Sequence, residues 1–108
     1  MTMKPGGEPG QDYRFRDGEQ RIVGGMTFTY SLHERMWYGM YKYADRAGQE
    51  HYYNTRLSQR VDGKWECQHG SPQTGYRWIS LNDTNIQSAM QKAVELIVPE
   101  EVRQAGRS

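Results

Sequence analysis

The 108-residue chain is poor in cysteine and contains no long apolar run. Cys67 is its only cysteine, so no intramolecular disulfide can form and a disulfide-stapled, secreted fold is not expected. No stretch approaches the roughly 20 apolar residues of a membrane span. No apolar run follows Lys4 either, so a signal peptide is not expected. These features predict a soluble cytoplasmic protein without a membrane partner.

The chain also lacks an excess of charge of one sign. Fourteen Lys and Arg residues face thirteen Asp and Glu residues, which leaves a net charge of +1. A protein that mainly holds bare phosphate backbone usually carries a larger positive excess, so the composition favours other partners. Eight Tyr, three Trp and two Phe make up the aromatic residues. Rings with a polar tip therefore dominate, and such rings suit half-buried positions and interfaces.

The sequence shows no cluster of catalytic or metal-binding residues. A structural zinc site needs four convergent ligands, but the chain offers one cysteine and three scattered histidines. The carboxylates are scattered as well, and no two of them form an evident acid–base pair. Cys67 is predicted to be a buried structural thiol rather than a nucleophile. We therefore expect no enzymatic activity, no metal site and no cofactor.

The stretch from Ser31 to Ala47 carries the strongest helical pattern. At about 100° per residue its apolar side chains fall on one arc and its charged side chains on the opposite arc. Ser31 and Glu34 match a capping box, and Gly48 matches a left-handed helix stop. Read with a period of two, both faces are mixed. We therefore predict a helix over 32–47, despite an aromatic content that favours strands.

The remaining patterns complete a β-α-β-β-β-α order. A strand is predicted over 20–30, where Gly24-Gly25 suggests a bulge or a close backbone approach. Three more strands and a second helix follow, over 50–60, 64–68, 76–81 and 82–98. The predicted fold class is α+β, an antiparallel sheet of three to four strands with two helices packed on one face. Helix residues predicted to be buried against this sheet are Leu32, Met36, Met40, Ile86, Met90 and Ile97.

This order predicts a single domain over residues 20–102. Residues 1–19 are rich in Pro and Gly and offer almost nothing to bury, so a disordered leader is predicted there. Residues 103–108 are expected to be a frayed tail.

The hairpin after the second strand has a predictable register. A two-residue Asp62-Gly63 turn would pair Leu57 with Gln68 and mix the two faces. A three-residue loop, with Gly63 left-handed as a bulge, pairs Leu57 with Cys67 and makes each face coherent. The same register pairs Gln59 with Trp65, Ser58 with Glu66, Arg60 with Lys64 and Arg56 with Gln68. We therefore predict the three-residue loop.

The outward face of these three strands is the predicted binding site. It combines Trp, Tyr and Arg, the residues that dominate protein interfaces and that also stack on bases and contact phosphates. The predicted binding residues are Tyr52, Asn54, Arg56, Arg60, Lys64, Tyr76, Arg77 and Trp78. The alternative is an ordinary solvated face with cross-strand pairs.

The C-terminal half has a coarse resemblance to known domains. The hairpin Asp62-Gly63-Lys64-Trp65, the strand Tyr76-Arg77-Trp78-Ile79 and the helix with Ala89 and Ala93 cover about 45 residues. They resemble the three-strands-plus-helix plan of plant AP2-type and phage-integrase arm-type DNA-binding domains, in which sheet Arg and Trp residues enter the major groove. The same shape resembles HicB-like antitoxins, although their Pro-Gly signature is missing. Such fold-level likeness carries little functional weight.

These observations lead to two functional hypotheses. The first is a small non-catalytic protein-interaction module, of the regulator or inhibitor type, that uses the exposed aromatic and Arg sheet face. The alternative is a nucleic-acid-binding protein that uses the same three-stranded face. The near-zero net charge ranks another protein above nucleic acid as the partner. A homodimer is a further candidate.

Overall fold

A computed structural model describes residues 14–105 of the chain. Its elements follow one another as β1 (Gln20–Val23), β2 (Met26–Ser31), β3 (Met36–Ala44), β4 (Glu50–Gln59), β5 (Trp65–Ser71), β6 (Gly75–Ser80), α1 (Ile86–Ile97) and α2 (Glu100–Ala105). Each strand pairs antiparallel with the next, so the six strands form one meander in the order β1-β2-β3-β4-β5-β6. The described chain is therefore mostly sheet, followed by two short helices.

The predicted fold class is wrong, chiefly because the stretch predicted as a helix over 32–47 is a strand. Met36–Ala44 is β3 and pairs with both β2 and β4. Trp37, Gly39 and Tyr41 are buried on one face, whereas Met40 is exposed on the other. Aromatic residues occupy both faces of this strand, so no clean alternation of apolar and polar residues marks it. Pairing with the neighbouring strands thus decides the structure of this stretch, although its apolar residues have a helical periodicity.

The signals taken for helix ends are turn signals instead. The Ser31 hydroxyl accepts a hydrogen bond from the Glu34 backbone N–H at 3.4 Å, inside the β2–β3 turn. Arg35 in the same turn has a positive φ of 57°. Gly48 is left-handed with φ 83° in the β3–β4 turn, where its N–H donates to the Asp45 carbonyl. Hydroxyl caps and left-handed glycines serve helices and tight turns alike.

The predicted first strand is a hairpin of two strands. Val23 pairs with Met26, so Gly24 and Gly25 form a two-residue turn between β1 and β2. Both glycines have positive φ, 58° and 85°, as a type I′ turn requires. The Gly-Gly pair therefore reverses the chain rather than forming a bulge, and this hairpin accounts for one of the additional strands.

The predicted register of the β4–β5 hairpin is confirmed where the strands pair. Leu57 lies opposite Cys67, Ser58 opposite Glu66 and Gln59 opposite Trp65. The Arg60 N–H donates to the Lys64 carbonyl at 2.8 Å, and Gly63 has φ 87°, as the bulged three-residue loop requires. The predicted pair of Arg56 and Gln68 is not part of the ladder, which ends at Leu57 and Cys67.

Helix α1 covers one face of the sheet. It begins later than predicted, after Asn85, whose side-chain oxygen accepts from the Ser88 N–H. Its buried side chains are Ala89, Met90, Ala93 and Val94. Of the residues predicted to be buried, Met90 is fully buried, Leu32, Met36, Ile86 and Ile97 are half-buried, and Met40 is exposed. The sheet side of the core comprises Val23, Met26, Phe28, Tyr30, Trp37, Tyr41, Leu57, Trp65, Cys67 and Leu81.

A residue of the predicted leader completes this core. Phe15 is only 8% exposed and lies within about 5 Å, ring centre to ring centre, of Tyr30 (5.2 Å) and Trp37 (5.1 Å). The Gly18 N–H donates to the Tyr30 carbonyl, and the Tyr30 N–H donates to the Glu19 carbonyl. The packed region thus starts before residue 20. Residues 1–13 of the predicted leader and residues 106–108 of the predicted tail lie outside the described residues, and 103–105 belong to α2.

Within residues 14–105, neither helix has the length and apolar character needed to cross a membrane.

Replacing Phe15 tests the role of this N-terminal segment. We expect Phe15→Ala to lower the free energy of unfolding by about 3 kcal/mol, because buried Phe→Ala changes remove apolar contact and leave a cavity. Ile22→Ala is the matched control, since Ile22 is apolar but 73% exposed. Urea unfolding followed by Trp fluorescence measures both variants. Equal midpoints for the two would contradict the packing of Phe15.

Candidate functional site

The sheet face opposite α1 is the first part of the candidate site. Side chains alternate along each strand, so residues that pair across strands place Tyr38, Met40, Tyr52, Arg56 and Trp78 on this side. We call this surface the open face. Tyr52 and Trp78 are 51% and 41% exposed, and Tyr76 at the end of β6 is 57% exposed. Large aromatic side chains thus lie on a face that no other described element covers.

The polar groups of the open face are partly neutralised among themselves. Lys42 Nζ lies 2.8 Å from Glu50 Oε2, and the Tyr52 hydroxyl donates to Glu50 Oε1 at 2.9 Å. The hydrogen bond from Lys42 lowers the pKa of the Glu50 carboxyl, and the hydrogen bond to Glu50 raises the pKa of Tyr52. Lys42 and Glu50 therefore form a neutral pair at the end of the β3–β4 ladder. The aromatic rings are then the main feature of the open face that a partner could contact.

Arg56 is the charge at the centre of the open face. Its guanidinium lies over the Tyr38 ring, 5.2 Å from the ring centre. No carboxylate among residues 14–105 lies within ion-pair distance of it. A guanidinium stacked on an aromatic ring is held in place while its N–H donors stay available. Arg56 can therefore contact an anionic group of a ligand.

The structure brings some of the predicted site residues together and separates others. Tyr52, Asn54, Arg56, Tyr76 and Trp78 share the open face. Arg60 and Lys64 lie at the hairpin loop at the sheet end, where they contact Asp62 (3.6 Å) and Asn82 (3.3 Å). Arg77 pairs with His69 and so lies on the opposite face. The binding roles themselves stay predictions.

Sequence reasoning missed the contribution of β3 to this face. Tyr38, Met40 and Lys42 were assigned to a helix, so they were not placed beside the strand residues they neighbour. The register puts Tyr38 opposite Arg56, Met40 opposite Asn54 and Lys42 opposite Tyr52. The available signal was the run of aromatic residues, which favours a strand.

A cleft between β4 and β5 is the second part of the candidate site. Their ladder has three residue pairs, although β4 has ten residues and pairs with β3 over nine. Beyond Leu57 and Cys67 the two strands separate. The Thr55 hydroxyl donates to the Gln68 carbonyl at 2.8 Å, which closes the narrow end of the cleft. From this bond the cleft runs towards the start of β4 and the β5–β6 turn, where Tyr52, Ser71 and Thr74 line it.

Gly70 lies in β5 beyond the last residue pair that β5 forms with β4. Its φ is 134°, a conformation that side-chain-bearing residues rarely adopt, and a Cβ there would lie 2.0 Å from the Gly75 carbonyl oxygen. β5 and β6 nevertheless stay paired through Ser71 and Gly75. β5 therefore continues its ladder with β6 beyond the point where its ladder with β4 ends.

The cleft opens into a concavity of about 1120 Å³ that extends over the open face. It is lined by residues of β1 to β3, by both walls of the cleft and by Ile97 at the end of α1. These residues are Gln20, Thr27, Thr29, Tyr38, Gly39, Met40, Tyr52, Tyr53, Asn54, Thr55, Arg56, Gln68, His69, Gly70, Ser71, Pro72, Thr74, Tyr76 and Ile97. Among the described residues, this lining contains no carboxylate, and Arg56 is its only Arg or Lys.

The described residues contain no group of His, Cys, Asp and Glu side chains that could hold a metal ion. Asp45 and His51 are 2.9 Å apart, but Asp45 also accepts the backbone N–H groups of Ala47 and Gln49. These bonds, led by the one from His51, lower the pKa of Asp45. Both carboxylate oxygens are thus used in ordering the β3–β4 turn.

No protein-family model, no curated protein and no solved structure matches this chain.

The conformation of Gly70 leads to a stability prediction. We expect Gly70→Ala to destabilise the fold by about 1–3 kcal/mol or more, because it adds a clash with backbone to an unfavourable φ. Gly48→Ala is the control, since Gly48 has φ 83° but nothing within 4 Å of an added Cβ. Urea unfolding of both variants gives the comparison. A smaller loss for Gly70→Ala than for Gly48→Ala would contradict the described geometry of β5.

Cys67 leads to a prediction about pH. The thiol is fully buried, and this burial raises its pKa from the ordinary value of 9.0 to about 11. Because folding favours the neutral thiol, its contribution to stability is complete below pH 9 and is lost as the pH rises through about 11. At about pH 8 we expect iodoacetamide to modify Cys67 slowly in the folded protein and quickly in urea. Equal rates in both states would contradict the buried thiol.

Proposed function

We propose that this protein is a non-catalytic, cytoplasmic protein-interaction module that binds a partner protein through the open face. The observation that carries the proposal is the exposure of Tyr52, Tyr76 and Trp78 on a sheet whose other face packs against α1 and Phe15. Interfaces are enriched in Tyr, Trp and Arg, and such residues in a central position supply most of the binding energy. Arg56, stacked on Tyr38, adds a preorganised polar contact among these rings.

The distribution of charge favours a protein partner over nucleic acid. Lys42 is already paired with Glu50, and Glu66 lies on the same side of the sheet as Arg56. The open face therefore lacks the row of unpaired cations that would neutralise successive phosphates. Binding of nucleic acid by the same face is the alternative hypothesis, and a titration tests it below.

Capture with a matched pair of variants tests the open face. The tagged full chain, Trp78→Ala and Leu96→Ala are incubated with nuclease-treated extract of the source cells, and the retained proteins are identified. Trp78 and Leu96 are both 41% exposed, but Leu96 lies on α1. We expect a protein that the wild type and Leu96→Ala retain and Trp78→Ala does not. For the purified pair, Trp78→Ala should cost about 2 kcal/mol or more, mostly as faster dissociation.

The proposal fails if no retained protein depends on Trp78, or if Leu96→Ala is equally impaired. Titration of labelled single- and double-stranded DNA and RNA covers the alternative. We expect no binding at about 50 mM salt. Tight binding that falls steeply by about 200 mM salt and is abolished by Arg56→Glu would instead assign the face to nucleic acid, since phosphate contacts release condensed counterions.

A further inference from the structure

The cleft presents main-chain hydrogen-bonding groups that the sheet does not use. In an antiparallel ladder, the N–H and C=O of one residue point to the same neighbouring strand, and successive residues alternate between neighbours. The Leu81 N–H donates to the Trp65 carbonyl, so Trp65 faces β6 and Glu66 faces β4. The Arg60 N–H donates to the Lys64 carbonyl, so even-numbered residues of β4 face β5. Alternation therefore directs the main-chain groups of Tyr52 and Asn54 into the cleft.

These groups form a rigid strand edge. β4 is held along nine residues by β3 on its other side. On the cleft side, no ladder pair joins residues 52–56 to residues 68–71. Gly70, which faces β4 by the same alternation, lies on the opposite wall. Two strand edges thus face each other across the cleft, and an unpaired edge is a template for an additional strand.

The side chains around the cleft suit an extended peptide. Alternate residues of a strand point to opposite sides of the sheet. On the open face they would meet Tyr52, Arg56 and Tyr76, and on the α1 side they would meet Tyr53 and Ile97. The outer edges of the sheet differ, because β1 has only four residues and β6 presents Arg77 and Ile79, which are not aromatic, on the α1 side. Among the strand edges of residues 14–105, the cleft alone combines a free edge with aromatic residues on both sides.

The charge of the cleft defines the peptide further. Within residues 14–105, no carboxylate lines the concavity and none forms an ion pair with Arg56. A carboxylate placed against this guanidinium would form a charge-assisted hydrogen bond that fixes the register of an added strand.

We propose that the cleft between β4 and β5 binds an extended peptide segment that carries an acidic side chain. The segment adds as a strand to the β4 edge at Tyr52–Asn54 and places its carboxylate against the Arg56 side chain on the open face. The inference rests on the proposed function, because the segment belongs to a partner protein, and it names the form in which that partner is recognised.

A proline substitution in β4 tests main-chain pairing with an added strand separately from side-chain contacts. The Asn54 N–H points into the cleft, so Asn54→Pro removes a donor for an added strand and leaves the ladder with β3 in place. Asn54→Ala removes the side chain and keeps the N–H, which makes it the matched control. The probe is a phage library of random linear nonapeptides, selected on the full chain. Enriched peptides are synthesised with a fluorescent label and titrated against each variant by fluorescence anisotropy.

We expect enriched peptides to share an acidic position between alternating apolar residues. Their affinity should fall about tenfold or more with Asn54→Pro, which corresponds to the loss of one main-chain hydrogen bond and disturbed docking. It should change little with Asn54→Ala. Replacing the acidic residue of the peptide by its amide should weaken binding to the wild type and have little further effect on binding to Arg56→Gln.

Circular dichroism and urea unfolding check that Asn54→Pro is folded. If it is not, N-methylation of every second amide of the peptide gives the same test on the wild type, because it blocks strand pairing from the ligand side. Binding that survives both Asn54→Pro and methylation overturns strand addition. Absence of any enriched peptide also overturns it. Both results concern peptide binding in the cleft, and partner capture that depends on Trp78 is measured separately. The experiments can therefore reject strand addition without rejecting the binding role of the open face.

Discussion

The structure depends on the packing of one amphipathic helix against a sheet that is too large for it. Helix α1 has twelve residues and is about 18 Å long. Six strands span about 24 Å in the hydrogen-bonding direction, and the ten residues of β4 extend over about 33 Å. The helix covers only part of one face. Phe15 from the N-terminal segment packs on Trp37 and Tyr30 in the remaining space.

This one-sided cover explains where the candidate site lies. Antiparallel sheets tolerate one solvated face, but such a face usually carries polar and charged side chains. Here Tyr38, Met40, Tyr52 and Trp78 lie on it, and of the ion pairs among residues 14–105 only Lys42–Glu50 lies on this face. Because aromatic rings on an uncovered sheet gain free energy when a partner excludes water from them, this face is the physical basis of the proposed binding function.

The cleft adds a second, directional feature to the same surface. The Gln68 carbonyl, which a continued ladder would direct to the β4 main chain, accepts a hydrogen bond from the Thr55 hydroxyl instead. Beyond it β5 pairs with β6 alone among the described strands. The sheet therefore divides into a long β3–β4 part and a shorter β5–β6 hairpin. The aromatic face supplies contact area without a fixed direction, whereas an exposed row of main-chain groups requires a partner in extended conformation.

Local chemistry alone was sufficient to predict the β4–β5 hairpin and the second helix. In these segments one face is apolar and the other polar, so the period is visible, and Gly63 marks the turn. The candidate residues Tyr52, Asn54, Arg56 and Trp78 followed from that alternation. The sequence also determined the buried thiol of Cys67, because its position in the register with Leu57 turns it to the core.

Only the tertiary structure decided the state of Met36–Ala44. Its helical arc, capping residues and stop signal satisfy the rules for a helix, but the same residue types serve a strand with aromatic residues on both faces and tight turns at both ends. This stretch is a strand rather than a helix because its main chain pairs with β2 on one side and β4 on the other. Those partners lie outside the stretch, so its own residues do not reveal them. The packing of Phe15 was decided in the same way, because it depends on Trp37, which is distant in sequence.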